Sequence, residues 1–239
     1  MKCLQAMSVV SFLCSLSRSP LLPLTSAFTP TSVRSFTRSL STTTTTIKSL
    51  VEEVDPGQID GTDLRVLKYP HKALRAANAD ITEEELASGE ISDIAKQMFL
   101  VMYGTQGVGL AAPQVGINKR LMVYNESGDK KKWMQETVMV NPRIIAFSEA
   151  LDVEEEGCLS FPGMRGDVER PKWIKVEALN LKGKKMKKKF IGWEARIFQH
   201  EYDHLDGVLY PDRMADEGKE GVKERLNELI AEFGEGGAL

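Results

Sequence analysis

The chain has 239 residues, of which 42% are apolar and 27% are charged, with 19 glycines, 10 prolines and 3 cysteines. This composition is typical of a globular protein and excludes a fibrous, a disulfide-stapled or a wholly disordered chain. Of the 31 Lys and Arg residues, 5 lie in residues 1–50, which contain no Asp or Glu, so the other 26 face 34 acidic residues. That balance excludes a generally basic nucleic-acid-binding domain.

Residues 1–58 are predicted to be a targeting sequence rather than part of the fold. Ser and Thr fill 20 of the first 50 positions, and such a segment buries too little apolar surface to fold. A short apolar stretch at residues 7–16 and small residues at 25–27 predict a signal-peptide-like segment over residues 1–27. Residues 28–58 predict a disordered, transit-peptide-like segment. The pair resembles the two-part presequence of algae with secondary plastids and implies the plastid stroma, with the mitochondrion as the alternative.

Residues 59–239 are predicted to form one domain of the α+β class. Ser92 and Asp93 offer an N-cap to a helix that ends near Gly104 or Gly107. Apolar, β-branched runs predict strands over residues 120–125, 137–148 and 173–181, and a hairpin is predicted to turn at residues 182–184. Apolar residues at helical spacing predict a C-terminal helix over residues 220–233. The class follows because strands and helices do not alternate along the chain.

Residues 107–112 (GVGLAA) fit a loose dinucleotide-binding fingerprint, G-x-G-x-x-A. That fingerprint requires a strand before it and a helix after it. Here a helix is predicted before the segment, and Pro113 opposes a helix after it. A nucleotide site is therefore disfavoured.

The strongest chemical signal is the H-E-x-x-H pattern of residues 200–204. On a helix, residues four apart lie one above the other, so His200 and His204 present two imidazoles to one point and Glu201 lies beside them. This pattern predicts a divalent metal site. The third histidine of the chain, His71, has no such partners and is interpreted as a surface or loop residue.

A catalytic metal site normally takes three protein ligands. A metzincin pattern would place its third histidine where Tyr210 stands, so that class is disfavoured. Two interpretations remain from the residues alone. Cys158, the only cysteine after residue 50, completes a Cys/His/His set; alternatively, Glu220 or Glu224 of the C-terminal helix completes an H-E-x-x-H zinc endopeptidase.

Three segments occur in order: GVGLAAPQ at residues 107–114, EGCLS at 156–160 and QHEYDHL at 199–205. Together they resemble the three-motif signature of peptide deformylases, most closely the bacterial and organellar branch, and the similarity covers almost the whole domain. The resemblance implies a fold in which β-sheets surround a central H-E-x-x-H helix. It also implies the family's reaction, removal of the formyl group from the initiator methionine of new chains.

The resemblance implies the role of each catalytic residue. Cys158, His200 and His204 would hold the metal, which lowers the pKa of water towards neutrality. Glu201 would take the proton of that water and pass it to the departing amine. The Gln114 side-chain amide and the Leu159 backbone N–H would stabilise the negative charge that grows on the carbonyl oxygen.

A second group of residues would bind the peptide. Val108, Gly109 and Gly157 match positions that pair with a peptide in strand fashion. Val108, Trp193, Ile197 and His200 would line the methionine pocket, and Arg165 would contact the peptide at the mouth.

The donor set suits zinc and ferrous iron alike, and the family resemblance favours Fe²⁺ over Zn²⁺ as the native ion. The implied partners are nascent formyl-Met peptides and, transiently, the ribosome; no membrane and no specific nucleic-acid sequence are expected. The lysines of residues 182–189 are interpreted as a solvated hairpin, with contact to ribosomal RNA as the alternative.

Overall fold

The computed structural model describes residues 59–234, 236 and 237. These residues belong to one unit of the chain, Ser49–Leu239. The predicted signal-peptide-like segment, residues 1–27, and the predicted transit-peptide-like segment, residues 28–58, lie outside the described residues. The description therefore covers nearly all of the predicted domain, residues 59–239.

Helices and antiparallel sheets make up the described part of the chain, which confirms the predicted α+β class. The helices are α1 (Glu83–Ser88), α2 (Glu90–Gly104), α3 (Trp193–Leu205), α4 (Tyr210–Arg213) and α5 (Asp216–Phe233). The strands are β1 (Gly109–Ala111), β2 (Leu121–Tyr124), β3 (Thr137–Phe147), β4 (Leu151–Gly157), β5 (Arg165–Pro171), β6 (Trp173–Leu179) and β7 (Lys185–Ile191). One sheet has the order β1-β2-β3-β6-β7, and β4 and β5 form a second, two-stranded sheet.

Helix α2 begins at Glu90, three to four residues earlier than predicted, so the N-cap assigned to Ser92 and Asp93 is wrong. The residue before the helix is Gly89, whose φ of 86° suits a glycine. Gly89 is both the C-cap of α1 and the N-cap of α2. A capping box between Thr82 and Glu85 fixes the start of α1 just upstream. Asp93 instead lies in the first turn of α2 and pairs with Lys96.

The predicted hairpin is present as β6 and β7, joined by a turn around Gly183, which has a φ of 70°. Alternate residues of β6 face the core, where Ile174, Val176 and Ala178 are buried. The residues between them face outward, as the two-residue period of a strand requires. The hairpin therefore exposes one face at the β7 edge of the sheet.

Helix α3 packs against β1, β2 and β7 of the larger sheet and against β5 of the smaller one. Its apolar residues Ala195, Ile197 and Phe198 join a core cluster with the larger sheet. A polar strip of the same helix is also buried, since Arg196, Gln199 and Asp203 are at most 6% exposed. The smaller sheet covers this strip, so α3 has protein on both sides.

The C-terminal helix α5 begins at Asp216, four residues before the predicted start. It buries Val222 and Leu229 in a core cluster that also contains Phe161 and Tyr210. No helix in the described part of the chain has the length and hydropathy to cross a membrane.

Candidate functional site

The structure brings Cys158, His200 and His204 together, although 41 residues of chain separate the cysteine from the first histidine. One ligand atom from each lies within 4.8 Å of the others, and Cys158 Sγ is 3.3 Å from His204 Nε2. The two imidazoles lie one helical turn apart on α3, with ring centroids separated by 5.3 Å. Cys158 directly follows β4, which carries it to the same point.

The residues present fit a divalent metal ion. One thiol and two imidazoles form a donor set that suits zinc and ferrous iron. Burial lowers the pKa of His204 well below its usual value, which favours the neutral imidazole that binds metals. Glu220 and Glu224 are exposed on α5, Glu220 pairs with Lys223, and neither belongs to the cluster. The endopeptidase alternative is therefore not favoured.

Glu201 lies beside the cluster and is 4% exposed. Its Oε2 atom has no hydrogen-bond partner among the described residues, so this carboxylate oxygen is left without a protein donor. Burial raises the pKa of Glu201 to about 7. A carboxylate with a pKa near neutrality can both accept and return a proton at physiological pH.

Strand β1 passes directly against Glu201. A Cβ atom at Gly109 would lie 2.5 Å from Oε1 and 2.9 Å from Cγ of Glu201, closer than atoms can pack. The Glu201 side chain therefore leaves no room for a Cβ atom at position 109. The peptide contact expected from the sequence is a second reason for a glycine there.

Replacing Gly109 with alanine is expected to displace the Glu201 carboxylate. Small displacements of a reacting group cost about 10- to 100-fold in rate, so we expect kcat of a reaction that uses this carboxylate to fall by that factor. Steady-state kinetics checks this result. Gly221→Ala is the matched control, since a Cβ there meets nothing within 4 Å. Wild-type kcat in the Gly109→Ala variant would contradict the close approach.

The structure places Gln114 and Leu159 next to the cluster. Gln114 Oε1 accepts a hydrogen bond of 2.8 Å from the Ala111 N–H, and this orients the amide so that Nε2 lies 3.5 Å from Cys158 Sγ. The Leu159 C=O accepts a hydrogen bond of 2.8 Å from Lys68 Nζ, whereas its N–H bonds to no described residue. The side-chain amide of Gln114 is therefore directed at the cluster. The Leu159 N–H lies beside the cluster without an acceptor among the described residues.

A cleft of about 870 Å³ opens over the cluster. All seven residues expected to bind the peptide line it: Val108, Gly109, Gly157, Arg165, Trp193, Ile197 and His200. Ile197 is buried, whereas Trp193 is 50% exposed and donates its indole N–H to the Glu126 carbonyl at 3.1 Å. Arg165 is exposed and lies 3.4 Å from Glu155.

Lys68, Phe161 and Met164 also line the cleft, and the sequence analysis missed them. Phe161 and Met164 follow the EGCLS segment closely, which was the only available signal. Lys68 comes from the start of the domain, where no pattern indicated it. His71 does not line the cleft; its Nδ1 accepts a hydrogen bond from the Ala73 N–H.

The dinucleotide fingerprint is not realised as a phosphate site. Residues 112–115 form a single 3-10 turn after β1, and β2 follows. No α-helix N-terminus is therefore presented behind these glycines, as the sequence analysis expected.

Glu156 supports the cluster from behind. It accepts two hydrogen bonds from Arg170, of 2.6 and 2.9 Å. It also accepts one of 2.7 Å from Arg196, and its Oε2 lies 2.9 Å from His200 Nδ1. Because an ionised carboxylate only accepts, Nδ1 of His200 donates this hydrogen bond. Burial would lower the pKa of His200, but its contacts with Cys158 and Glu156 raise this pKa to about 10, so a metal that binds Nε2 displaces a proton.

The sequence analysis did not identify the wider ion network around this carboxylate. Arg170 also pairs with Asp203 at 2.8 Å, and Asp203 pairs with Arg213 at 2.7 Å. Burial would raise the pKa of Glu156, but hydrogen bonds from His200 and Arg170 outweigh burial and hold this pKa far below its usual range. Glu156 is therefore ionised at neutral pH.

Replacing Glu156 with glutamine is expected to lower the free energy of unfolding by about 3–5 kcal/mol, because it removes the buried carboxylate that Arg170 and Arg196 share. Urea denaturation measures the change. Glu155→Gln is the control: its side chain is 59% exposed, and a surface pair contributes about 0–1 kcal/mol. Equal decreases in the free energy of unfolding for the two variants would show that the buried network contributes no more stability than a surface ion pair.

Comparison with known proteins identifies several similar chains. Residues 63–220 match the family model described as polypeptide deformylase. The rice protein named "Peptide deformylase 1B, chloroplastic" is 45% identical over 176 residues, which cover 74% of this chain and 64% of that protein. This chain thus matches less than two thirds of the rice protein's length.

Two solved structures are also similar. A plant peptide deformylase PDF1B crystal structure has 41% identity and a TM-score of 0.68, with coverage of 72% of this chain and 91% of that one. A Met-Ala-Ser-bound peptide deformylase from Acinetobacter baumannii has 40% identity and a TM-score of 0.60, with coverage of 63% and 98%.

Proposed function

Because the chain belongs to the polypeptide deformylase family, we propose that it removes the N-formyl group from the initiator formyl-methionine of nascent polypeptides and releases formate. The observation that carries this proposal is the meeting of Cys158, His200 and His204 in one cluster. Cys158 and His200 of this cluster line the cleft together with Glu201. The enclosed helix α3 is then the metal-binding helix of this family's fold.

Cys158, His200 and His204 would hold one divalent metal ion. The neutral state of the His204 imidazole and the bond from His200 Nδ1 to Glu156 both support this assignment. We propose Fe²⁺ as the native ion, with Zn²⁺ as an ion that the same donors accept. When bound, the ion supplies Lewis acidity and lowers the pKa of water towards neutrality.

Glu201 accepts the proton from the attacking water and returns it to the amine that departs. An amide nitrogen leaves poorly unless it is protonated, so this transfer is needed for the bond to break. The unpartnered Oε2 atom supports the assignment, since no protein donor competes for the lone pairs that receive the proton.

Gln114 and Leu159 stabilise the carbonyl oxygen as it gains negative charge. The Gln114 amide is held in orientation by the Ala111 N–H, and fixed donors are effective because they need not reorganise during the reaction. The Leu159 backbone N–H provides the second donor.

The peptide backbone binds between β1 and the end of β4. Each of these strands pairs with one neighbour only, and a free strand edge can accept an added peptide strand. Val108, Gly109 and Gly157 supply these contacts. Val108, Trp193, Ile197 and His200 form the methionine pocket, and Arg165 contacts the peptide at the mouth.

We further propose that the protein acts in the plastid stroma, with the mitochondrion as the alternative. The rice relative's name describes it as chloroplastic, and the composition of residues 1–58 supports organelle import. Nascent chains begin to emerge at the ribosome, so we propose a transient association with it.

Formate release from formyl-Met-Ala-Ser tests the proposed function. The metal-loaded protein is expected to deformylate this peptide and to leave acetyl-Met-Ala-Ser intact. The peptide corresponds to the Met-Ala-Ser that is bound in the Acinetobacter baumannii structure. Cleavage of internal peptide bonds without formate release would instead support an endopeptidase.

A further inference from the structure

The outward face of the β6–β7 hairpin carries an unusual density of positive charge. Six of the eight residues 182–189 are lysines, in a domain whose acidic residues outnumber its basic ones. Among the described residues, only Lys187 of this group has a carboxylate partner, Glu177 at 2.9 Å. Positive charge is therefore concentrated locally and left largely unneutralised.

Lysines on β7 have one ordinary explanation, because charged residues on an edge strand prevent it from pairing with other chains. That explanation does not cover Lys175, which lies on β6 between β3 and β7. Lys175 stands directly opposite Lys189 in the strand register. Like charges in directly opposite positions destabilise a sheet, so this pair has a cost that edge protection does not explain.

Both ammonium groups lie over the same aromatic ring. Lys189 Nζ is 4.5 Å and Lys175 Nζ is 5.9 Å from the ring centroid of Trp173. No described carboxylate lies within 4.0 Å of either. The two side chains thus form a pair of cations over one indole, on strands that hold them in place.

Such an arrangement fits single-stranded RNA. A phosphate can bind the two ammonium groups, and a base can stack on the indole when the lysine side chains turn from the ring towards that phosphate; single strands bind to sheet surfaces through such contacts. A membrane surface fits less well, because interfacial binding requires a broad apolar face. Of the outward residues of β7, only Ile191 is apolar; Lys185, Lys187 and Lys189 are charged.

We propose that the outward face of β6 and β7, centred on Trp173, Lys175 and Lys189, binds single-stranded RNA without sequence specificity. The inference rests on the proposed function only for the source of the RNA, since a deformylase meets its substrate at the ribosome. The face would hold the enzyme near emerging chains.

Fluorescence anisotropy with a labelled single-stranded RNA of mixed sequence tests the proposal in the full-length chain. The Lys175→Glu/Lys189→Glu variant is expected to bind roughly tenfold more weakly at low salt, with a salt slope smaller by about two, one for each lost phosphate contact. Trp173→Ala is expected to weaken binding about five- to hundredfold with an unchanged slope, because it removes stacking but no charge.

Lys131→Glu/Lys132→Glu is the matched control, because it makes the same charge change on an exposed 3-10 turn elsewhere. An equal loss of affinity in this control would overturn the proposal, since it would indicate attraction by net charge alone. Binding to phosphatidylglycerol vesicles but not to RNA would also overturn it. All variants should release formate at the wild-type rate because these residues lie outside the cleft, so a failure of RNA binding and a failure of the deformylase proposal are distinguishable.

Discussion

Replacing Glu201 with glutamine is expected to lower kcat for formate release by about 10²- to 10⁴-fold, the contribution of a positioned acid–base group. Glutamine keeps the size of the side chain, so the contact with Gly109 is preserved, but it cannot carry the proton from water to the amine. Because Glu201 is not one of the three clustered ligands, the bound metal should remain. Steady-state kinetics and elemental metal analysis on the same sample measure both quantities.

Glu224→Gln is the control for this experiment. Glu224 is exposed on α5, and it is one of the two residues, with Glu220, that the endopeptidase alternative offers as a ligand. The deformylase assignment expects wild-type activity and metal content from this variant. Loss of metal in Glu224→Gln together with full turnover in Glu201→Gln would reverse the assignment.

Replacing Cys158 with serine is expected to remove most of the bound metal and, with it, the activity. The thiolate is a strong ligand, whereas a serine hydroxyl stays protonated at neutral pH and binds a borderline metal weakly. Loss of a group that merely orients a ligand costs about 10- to 100-fold in metal affinity. Loss of the ligand itself should cost more than that.

Metal titration monitored by thermal unfolding checks this prediction. Ions that bind only the folded state raise the Tm, so the wild-type Tm should rise with added Zn²⁺ while that of Cys158→Ser should not. Cys14→Ser in the full-length chain is the control, since it removes a thiol from the predicted presequence. An equal rise of the Tm in Cys158→Ser would exclude the sulfur as a ligand.

The buried charges around Glu156 and the exposed lysines Lys175 and Lys189 differ in how they are neutralised. Around Glu156, carboxylates neutralise Arg170 and Arg196 in the interior, where an unpaired charge would be very costly. Among the described residues, Lys175 and Lys189 have no such partner, and water screens their charge at the surface. The first arrangement orients a histidine, whereas the second leaves a charge available.

The local elements and the two histidines of the site could be predicted from the amino-acid sequence. Helical and strand periodicities depend on neighbours within a few residues, so α3, the β6–β7 hairpin and α5 were predictable. The i, i+4 spacing of His200 and His204 placed both imidazoles on one face for the same reason. The family resemblance then selected Cys158 over Glu220 and Glu224, a choice that spacing alone left open.

Which distant side chains meet became known only from the folded arrangement of the sheets and helices. Two examples join segments that are far apart in the chain: the contact of Gly109 with Glu201 and the two arginines, Arg170 and Arg196, that contact Glu156. The position of Lys175 opposite Lys189 depends instead on strand register. No local sequence pattern predicts these contacts, because they depend on how the strands pair and how the two sheets pack against α3. The burial of Arg196, Gln199 and Asp203 has the same origin, because ion-pair and backbone-carbonyl partners from other elements make the burial of these polar side chains favourable.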